Sequence, residues 1–518
     1  MQTPKRLPFP WLFRWKFWRV LLLLAASLVT LAALFHAEEN WRGKRAWEDY
    51  KAQMEARGVN FDFAKYVPPP VPDDQNFAMT PLLAPLFDFN PGTQHERDTN
   101  GMEKIHQAMQ LPTPIQTILN KSGWTVGKPL DLIRVVNEFE ATNRSASFRF
   151  APGQTQEAAR AILEKLEPME PIFAELRSAS RRPYSRFNID YGWEPKFSIV
   201  LPHLAEIKGL CVKLELRACA ELALGQTEPG LQDLELMFYL TGSIRGEPFM
   251  ISQLVRASCL NLALQPVWEG LAHHQWSEQQ LEVVERNLRK LDFLDDAARA
   301  LAAERCFGDS FFAGLMGVAN PLRFLDSVGN PTESVDFDPG GASTFPRGWF
   351  YFEELNYHRM YGEEFNGVIQ TNGIDPAVAD QRSAAVTDEL QRPGVLQNVL
   401  HHRWVSTILL PSLNGFERRM AHAQDNANLA LMACSLERYR LANGRLPETL
   451  DALAPQFFAA VPDDVIMGES FIYRRTDDGQ FVLYSVGWDK KDDNGVPAKE
   501  RDDTHGDWVW KYSATSEH

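Results

Sequence analysis

Residues Val20–Phe35 read VLLLLAASLVTLAALF, an uncharged and continuously apolar run near the start of the sequence. A helix needs about 20 such residues to cross the hydrocarbon layer of a bilayer. The aromatic residues just before the run lengthen it, and aromatic rings are typical of the lipid–water interface beside a spanning helix. We therefore predict a transmembrane anchor over residues 18–37.

Charge is distributed unequally on the two sides of this run. Positive charge stays on the cytoplasmic side of a spanning helix, so we expect residues 1–17 to form a cytoplasmic basic tail. The bulk of the chain would then lie in the periplasm, held on a bacterial inner (cytoplasmic) membrane. A cleaved signal peptide is the alternative, although Phe35 and His36 do not make the small-residue pattern of a cleavage site. The flanking charges are Lys5, Arg6, Arg14, Lys16 and Arg19 before the run, and Glu38 and Glu39 after it.

The composition limits the class of protein. The net charge of −15 argues against nucleic acid as a partner, because phosphate binding requires a basic face. At 518 residues the chain is long enough for two or three domains of about 100–200 residues. The few cysteines are never in C-x-x-C spacing, so we expect them to be buried, free and without metal: Cys211, Cys219, Cys259, Cys306 and Cys434.

Residues 38–100 are predicted to lead away from the bilayer. Asn40–Glu55 has the pattern of a charged, partly amphipathic helix. Val67–Pro72 reads VPPPVP, which favours extended polyproline geometry. We interpret it as a stiff spacer that holds the body off the membrane, and a docking motif for an aromatic groove is the alternative.

Residues 101–315 have the apolar periodicity of a helical domain. Ser277–Gln280 predicts a capping box at the start of one helix. In Leu216–Leu240, Gly225 is expected to close one helix and Thr227 to cap the next. This short stretch resembles a tetratricopeptide helical hairpin, which implies a scaffold or a surface that binds a peptide or protein.

Residues 316–400 are predicted to be an irregular connection rich in aromatic residues. Its segment 345–367 reads FPRGWFYFEELNYHRMYGEEFNG. Packing onto the helical body is one interpretation, and a pocket with acid–base or metal-binding groups is the other. On a helix these groups would occupy more than one face, so the sequence does not predict that they converge. The groups are Glu353, Glu354, Glu363 and Glu364 around His358.

Residues 401–518 are predicted to form an α+β module. Apolar residues from Phe416 to Cys434 alternate at spacings of four and three, which predicts a long helix that ends at Asn443-Gly444. Phe471–Arg475 and Phe481–Val486 have the pattern of strands, joined by a hairpin turn with the sequence DDG. A loop rich in acidic residues follows.

The order of these elements resembles the soluble part of a type II secretion major pseudopilin. The resemblance rests on the phrases YRLANGRLP at 439–447 and YSVGWD at 484–489, on the small sheet and on the acidic loop. A pseudopilin carries its hydrophobic helix and prepilin cleavage site directly before this module. Here the hydrophobic run lies some 400 residues upstream without such a site, so assembly into a fibre is not implied. The whole layout resembles uncharacterised membrane-anchored proteins of planctomycete and verrucomicrobial type.

The pseudopilin resemblance implies a structural Ca²⁺ ion in the acidic loop. Hard oxygen donors clustered in a loop independently suit Ca²⁺, which takes six to eight ligands without strict geometry. Solvated charge neutralised by nearby lysines is the alternative. The candidate ligands are Asp489, Asp492, Asp493, Asn494, Asp502, Asp503 and Asp507.

The sequence contains no nucleophile elbow, phosphate-binding loop, dinucleotide fingerprint or H-E-x-x-H zinc motif. We therefore expect a mainly α protein with a C-terminal α+β module that acts as a membrane-anchored scaffold or interaction protein of the cell envelope. Its expected partners are the membrane and an envelope protein, with neither nucleic acid nor an identified small-molecule substrate. The alternatives are an extracytoplasmic hydrolase with acid–base groups near 345–367, and an accessory component of a secretion or pilus-like system.

Overall fold

The computed structural model is mainly helical, with small antiparallel sheets. It describes residues 15–100, 102–103, 111–119, 123–142, 149–194, 196–317, 346–370, 373–458, 461–499, 502 and 504–512. Most of the predicted cytoplasmic tail, residues 318–345 of the predicted connection, and Asp503 of the acidic loop lie outside these residues.

Helix α1, Trp15–Ala56, contains both the apolar run and the charged segment after it. It is long and apolar enough to span a membrane, and none of its apolar window is buried in the protein. At 1.5 Å per residue its 42 residues extend about 63 Å, roughly twice the hydrocarbon thickness of a bilayer. The predicted anchor and the predicted helix after it are therefore one uninterrupted helix. Residues 35–41, FHAEENW, contain neither proline nor glycine to end it.

Nine helices of the described chain lie between residues 113 and 317, which agrees with the helical periodicity predicted for this region. The two residues expected to shape one hairpin behave differently. Gly225 adopts a left-handed conformation at φ 72° between α6 and α7, whereas Thr227 is the first residue of α7 and caps nothing. The Ser277–Gln280 capping box is present. The helices are α2 Thr113–Leu119, α3 Leu132–Thr142, α4 Thr155–Leu166, α5 Glu170–Ala179, α6 His203–Ala223, α7 Thr227–Ser243, α8 Met250–Ala272, α9 Glu278–Leu288 and α10 Phe293–Gly317.

The proline-rich segment does not act as the predicted spacer. The carbonyl oxygen of Pro68 accepts a hydrogen bond from Nε of Arg186 at 3.0 Å. Phe63 before it and Phe77 after it are buried in the main core. The prolines prevent a long helix, but the aromatic residues on both sides have apolar surface that is stabilised by burial. The segment therefore lies against the body.

The predicted irregular connection is mostly helical where the structure describes it. Helix α11, Arg347–Phe365, is buried by several neighbours, so its apolar residues are not confined to one face and its sequence lacks the amphipathic period. A two-stranded hairpin and three further helices follow: β1 Ile369–Gln370, β2 Gly373–Ile374, α12 Pro376–Gln391, α13 Val395–Leu400 and α14 Ser406–Leu409.

The C-terminal elements agree with the predicted long helix and small antiparallel sheet. Helix α15, Phe416–Asn443, ends at Gly444, which is left-handed at φ 72°. Strands β3 Ile472–Arg475, β4 Phe481–Ser485 and β5 Trp508–Lys511 form a sheet in the order β3-β4-β5.

These C-terminal elements share one hydrophobic core with the preceding helices. The indole rings of Trp510 and Trp124 are 5.3 Å apart, and Nε1 of Trp268 donates to the carbonyl oxygen of Lys511 at 2.9 Å. All five cysteines are buried and free, as the sequence predicts.

Candidate functional site

Three titratable side chains meet where α10 packs against α11. Asp309 comes from α10, while Glu354 and His358 lie four residues apart on one face of α11. Each offers one ligand atom, and these atoms all lie within 4.8 Å of one another. The two helices approach closely here because Gly308 has no side chain. A Cβ at this position would lie less than 3.0 Å from the ring of Tyr357. Asp309, Glu354 and His358 are called the Asp–Glu–His cluster below.

Helix α1 covers this cluster with its last turns. The ring of Trp47 stacks on the imidazole of His358 at a centroid distance of 4.9 Å, and the ring of Phe61 meets that imidazole edge-on at 5.3 Å. Nζ of Lys51 lies 3.9 Å from Oδ2 of Asp309. The cluster is thus enclosed between the membrane-proximal helix and the body.

The polar atoms of the cluster lack ordinary hydrogen bonds. Nε2 of His358 lies 2.6 Å from Oδ1 of Asp309, yet neither atom has a hydrogen-bond partner of acceptable geometry. Nδ1 of His358 and Oε2 of Glu354 are likewise buried without a partner. A buried polar group without a partner costs about 1–3 kcal/mol, and more if it is charged. Four such atoms in one place therefore need a compensating interaction.

Burial controls the protonation of the cluster. It raises the pKa of Glu354 well above its usual range, the charge of Asp309 adds to the rise, and the charge of Lys51 opposes it. Burial also lowers the pKa of His358, although the neighbouring Asp309 opposes that shift. A neutral imidazole is the form that binds a metal ion. The raised pKa of Glu354 favours its protonated form, and the lowered pKa of His358 favours the neutral imidazole.

The other acidic residues predicted near His358 point elsewhere. Both carboxylate oxygens of Glu353 accept backbone N–H groups, from Trp404 and Val405, at 3.1 Å each. Glu363 is half exposed and pairs with Arg359 at 2.9 Å. Glu364 is not part of the Asp–Glu–His cluster either, and burial raises its pKa to about 7. Only Glu354 and His358 of the predicted set converge.

Sequence reasoning missed Asp309, the third member of the cluster. The available signal was a lone carboxylate in CFGDSFF at 306–312, within the last turns of an apolar helix. The crossing of α10 and α11 joins residues about 50 positions apart, and the sequence alone does not give that crossing. A cavity of about 200 Å³ near Arg305 and Tyr361 does not include the Asp–Glu–His cluster in its lining.

The described residues of the acidic C-terminal loop mostly bind the loop itself. Asp507 is buried and accepts the backbone N–H groups of Asp493 at 3.2 Å and Gly495 at 2.6 Å. Oδ1 of Asp492 accepts the hydroxyl of Tyr484 at 3.0 Å and the amide of Asn494 at 2.8 Å.

Two further predicted calcium ligands, Asp489 and Asp502, are also engaged locally. Asp489 accepts the amide of Lys491 at 3.2 Å. Asp502 accepts from Thr504 and His505, and these bonds lower its pKa to about 2. Among the residues that the structure describes, no three carboxylates of this loop bring an oxygen each within 4.8 Å of one another. The described part of the loop thus shows no converging group of carboxylates, and calcium there stays a prediction.

A third feature is a cleft of about 880 Å³ between the end of α5, α7 and the start of α8. Carboxylates Glu228 and Glu235 also line it, and Tyr184, Phe238 and Tyr239 supply apolar walls. Buried Nη2 of Arg256, Nε of Arg177 and Oγ of Ser185 have no hydrogen-bond partner. The lining is cationic in a protein of net charge −15. Its cations are Arg177, Arg181, Arg182, Arg245, Arg256 and Lys290.

Comparisons with protein-family models, curated proteins and solved structures find no match for this chain. Function is therefore inferred from these three features and from α1.

Proposed function

We propose that this protein is a single-pass membrane-anchored scaffold or interaction protein of the bacterial cell envelope, with its body on the periplasmic side. The observation that carries the proposal is the continuity of α1. Its apolar half is exposed, and its second half buries Glu39, Gly43 and Trp47 against the body. Cleavage near residue 37 would leave the packed half on the body, so what favours an anchor over a signal peptide is the unbroken helix through residues 35–41 and the lack of a small-residue cleavage pattern there.

The cationic cleft supports an interaction role for the body. Its volume lies within the usual range of ligand pockets, about 300–1,000 Å³. Some of its arginines already pair with internal carboxylates, as Arg256 does with Asp296 at 2.8 Å. Arg181 and Lys290 at the rim have no carboxylate within ion-pair distance in the described chain. Charge complementarity therefore favours an acidic segment of an envelope protein as the partner.

Orientation in the membrane is tested by labelling with a membrane-impermeant maleimide. The five native cysteines are buried, so an introduced cysteine gives the signal. We expect Asp477→Cys, in the exposed β3–β4 turn, to react in intact spheroplasts. Thr3→Cys should react only after the membrane is permeabilised. The reverse pattern, or release of the chain into the soluble fraction, would refute the proposal.

Partner binding is tested with a fluorescent oligoglutamate peptide and the full chain in detergent. Arg181→Glu/Lys290→Glu should weaken binding, and the wild-type affinity should fall with added salt. The control is Arg392→Glu/Lys491→Glu, which makes the same change in charge at side chains that are 77% and 72% exposed. Equal peptide binding by both double variants would show that the cleft does not bind the acidic peptide.

The second candidate function is an extracytoplasmic hydrolase that uses groups near residues 345–367. The Asp–Glu–His cluster favours it, since carboxylates with raised pKa values beside an imidazole are common in catalytic sites. The enclosure of that cluster by Trp47 and Phe61 favours a structural role, because a substrate needs access. A role as an accessory component of a secretion system rests on the pseudopilin resemblance alone. Co-purification with such an assembly would support it.

A further inference from the structure

We propose that Asp309, Glu354 and His358 bind one divalent transition-metal ion, of which Zn²⁺ and Mn²⁺ are the best candidates. The ion would join α10 to α11 beneath Trp47, at the place where α1 packs on the body. This site does not depend on the proposed function, because its ligands lie in α10 and α11.

The chemistry of the three ligand groups favours a transition-metal ion. An imidazole nitrogen with two carboxylates suits Zn²⁺, Mn²⁺ or Fe²⁺, whereas Ca²⁺ and Mg²⁺ sites are built from oxygen donors. Three protein ligands and one water form a common open site for Zn²⁺. The spacing of Glu354 and His358, four residues apart on one helix, puts both ligand atoms on one side of α11.

Buried polar atoms of the cluster lack hydrogen-bond partners, which favours a bound ion. His358 and Glu354 are 1% and 4% exposed, and each has a polar atom without a partner. The short contact of Nε2 of His358 with Oδ1 of Asp309 lacks hydrogen-bond geometry. An ion about 2.0–2.2 Å from each ligand atom would hold these two atoms farther apart than 2.6 Å and would replace the short contact. It would bind one imidazole nitrogen and one oxygen of each carboxylate, which gives a partner to three of the four unpartnered atoms.

The negative charge of the cluster also favours a bound cation. The cluster holds two carboxylates; Lys51 lies 3.9 Å from Asp309, and the charge of Arg305 also reaches His358. Within the described chain no cation forms an ion pair with Glu354, so its negative charge is left for a proton or a metal ion to compensate. Trp47 of α1 stacks on the imidazole of His358, so an ion that fixes this imidazole would stabilise the packing of α1 on the body, although it would compete with Lys51 for Asp309.

The experiment uses the full chain in detergent, treated with chelator and then titrated with Zn²⁺ or Mn²⁺ against a chromophoric competitor. We expect about one ion per chain. Glu354→Gln and Asp309→Asn should each reduce the affinity for the ion at least about 100-fold, because losing a ligand costs more than losing a residue that only hydrogen-bonds to a ligand. Co²⁺ in place of Zn²⁺ should give visible absorption bands that the variants lack. The matched control is Glu363→Gln on the same helix, whose carboxylate pairs with Arg359 and should not affect binding.

Hydrogen exchange gives a readout that folding defects do not imitate. The metal should slow amide exchange in residues 45–62 of the wild type and of Glu363→Gln, but not of Glu354→Gln. The near-isosteric Glu354→Gln should fold in the presence of chelator, as judged by circular dichroism. If the wild type binds no more metal than folded Glu354→Gln, the proposal is wrong and the cluster is held by a shared proton.

Discussion

Gly43 of α1 and Gly348 of α11 cross backbone against backbone. A Cβ on Gly348 would lie less than 3.0 Å from the carbonyl oxygen of Glu39, and a Cβ on Gly43 equally close to the carbonyl of Gly348. The amide of Gly348 also donates to Oδ1 of Asn40 at 2.8 Å, and Nε1 of Trp349 donates to Oε2 of Glu39 at 3.1 Å. This crossing is the tightest link between the anchor helix and the body, and it positions Trp47 over the Asp–Glu–His cluster.

Replacing either glycine should loosen this link. We expect Gly348→Ala to lower the free energy of unfolding by about 1–3 kcal/mol, the usual cost of overpacking, because backbone atoms cannot move aside as a flexible side chain can. Thermal unfolding of the full chain in detergent measures it. Gly242→Ala in α7 is the control, since a Cβ there meets nothing within 4 Å and alanine favours a helix. Equal melting temperatures for the two variants would contradict the tight crossing.

The stability of the body should depend on pH through Glu269. This buried carboxylate accepts the amide of Leu130 at 2.7 Å and Nε2 of Gln265 at 2.9 Å, yet burial raises its pKa to about 7. The titratable groups that face it from α6 are Glu215 and Cys219, whose pKa values burial also raises. Because the folded pKa exceeds the unfolded value near 4.3, the stabilising contribution is complete below pH about 4.

That contribution is lost as the pH rises through about 7, with a slope of about 1.4 kcal/mol per pH unit. Glu269→Gln keeps a carbonyl acceptor and cannot ionise, so we expect its unfolding free energy to fall less between pH 5 and 7.5 than that of the wild type. Urea unfolding across this range measures both. Glu282→Gln, half exposed on α9, is the control. An unchanged slope in Glu269→Gln would show that this carboxylate does not titrate as inferred.

Arg438 joins helix α15 to α9 of the body. It donates to Glu278 at 2.6 Å, Glu282 at 2.8 Å and Glu285 at 2.9 Å, and only 13% of its side chain is exposed. Arg438→Ala takes from Glu285, which is 4% exposed, the closer of its two cations and leaves it only Arg289 at 3.3 Å. We expect a loss of about 2–4 kcal/mol, since breaking a buried ion pair costs more than a surface pair is worth.

The control for Arg438→Ala is Arg392→Ala. Arg392 is 77% exposed and pairs with Asp388 one turn away, so its loss should cost less than about 0.5 kcal/mol. Thermal unfolding compares the two variants. A single transition that moves as a whole in Arg438→Ala would support the shared core of body and C-terminal elements. If only a minor transition moved, the C-terminal elements would unfold as an independent module.

The sequence predicted the elements whose local pattern of apolar residues and glycines indicates which face is buried and where the element ends. One apolar face and a terminal glycine gave α15, and the turn DDG gave the β3–β4 hairpin because Gly479 can adopt φ 80°. Helix α11 was missed because a helix buried by several neighbours has no amphipathic period. The Asp–Glu–His cluster was only half visible: Glu354 and His358 share a helix, whereas Asp309 joins them through tertiary packing. Long-range crossings such as that of Gly43 and Gly348 leave no local pattern.

Calcium binding by the acidic C-terminal loop is the last prediction. If the loop binds Ca²⁺, the melting temperature of the full chain should be higher with Ca²⁺ than with chelator, because a ligand that binds only the folded state stabilises it. Asp489→Ala/Asp493→Ala should abolish that rise. Asp49→Ala/Asp477→Ala removes two exposed carboxylates elsewhere and should preserve it. Equal melting temperatures with Ca²⁺ and chelator would assign the loop carboxylates to the bonds that Asp507 and Asp492 already make, which close the loop over β4 and β5 without an ion.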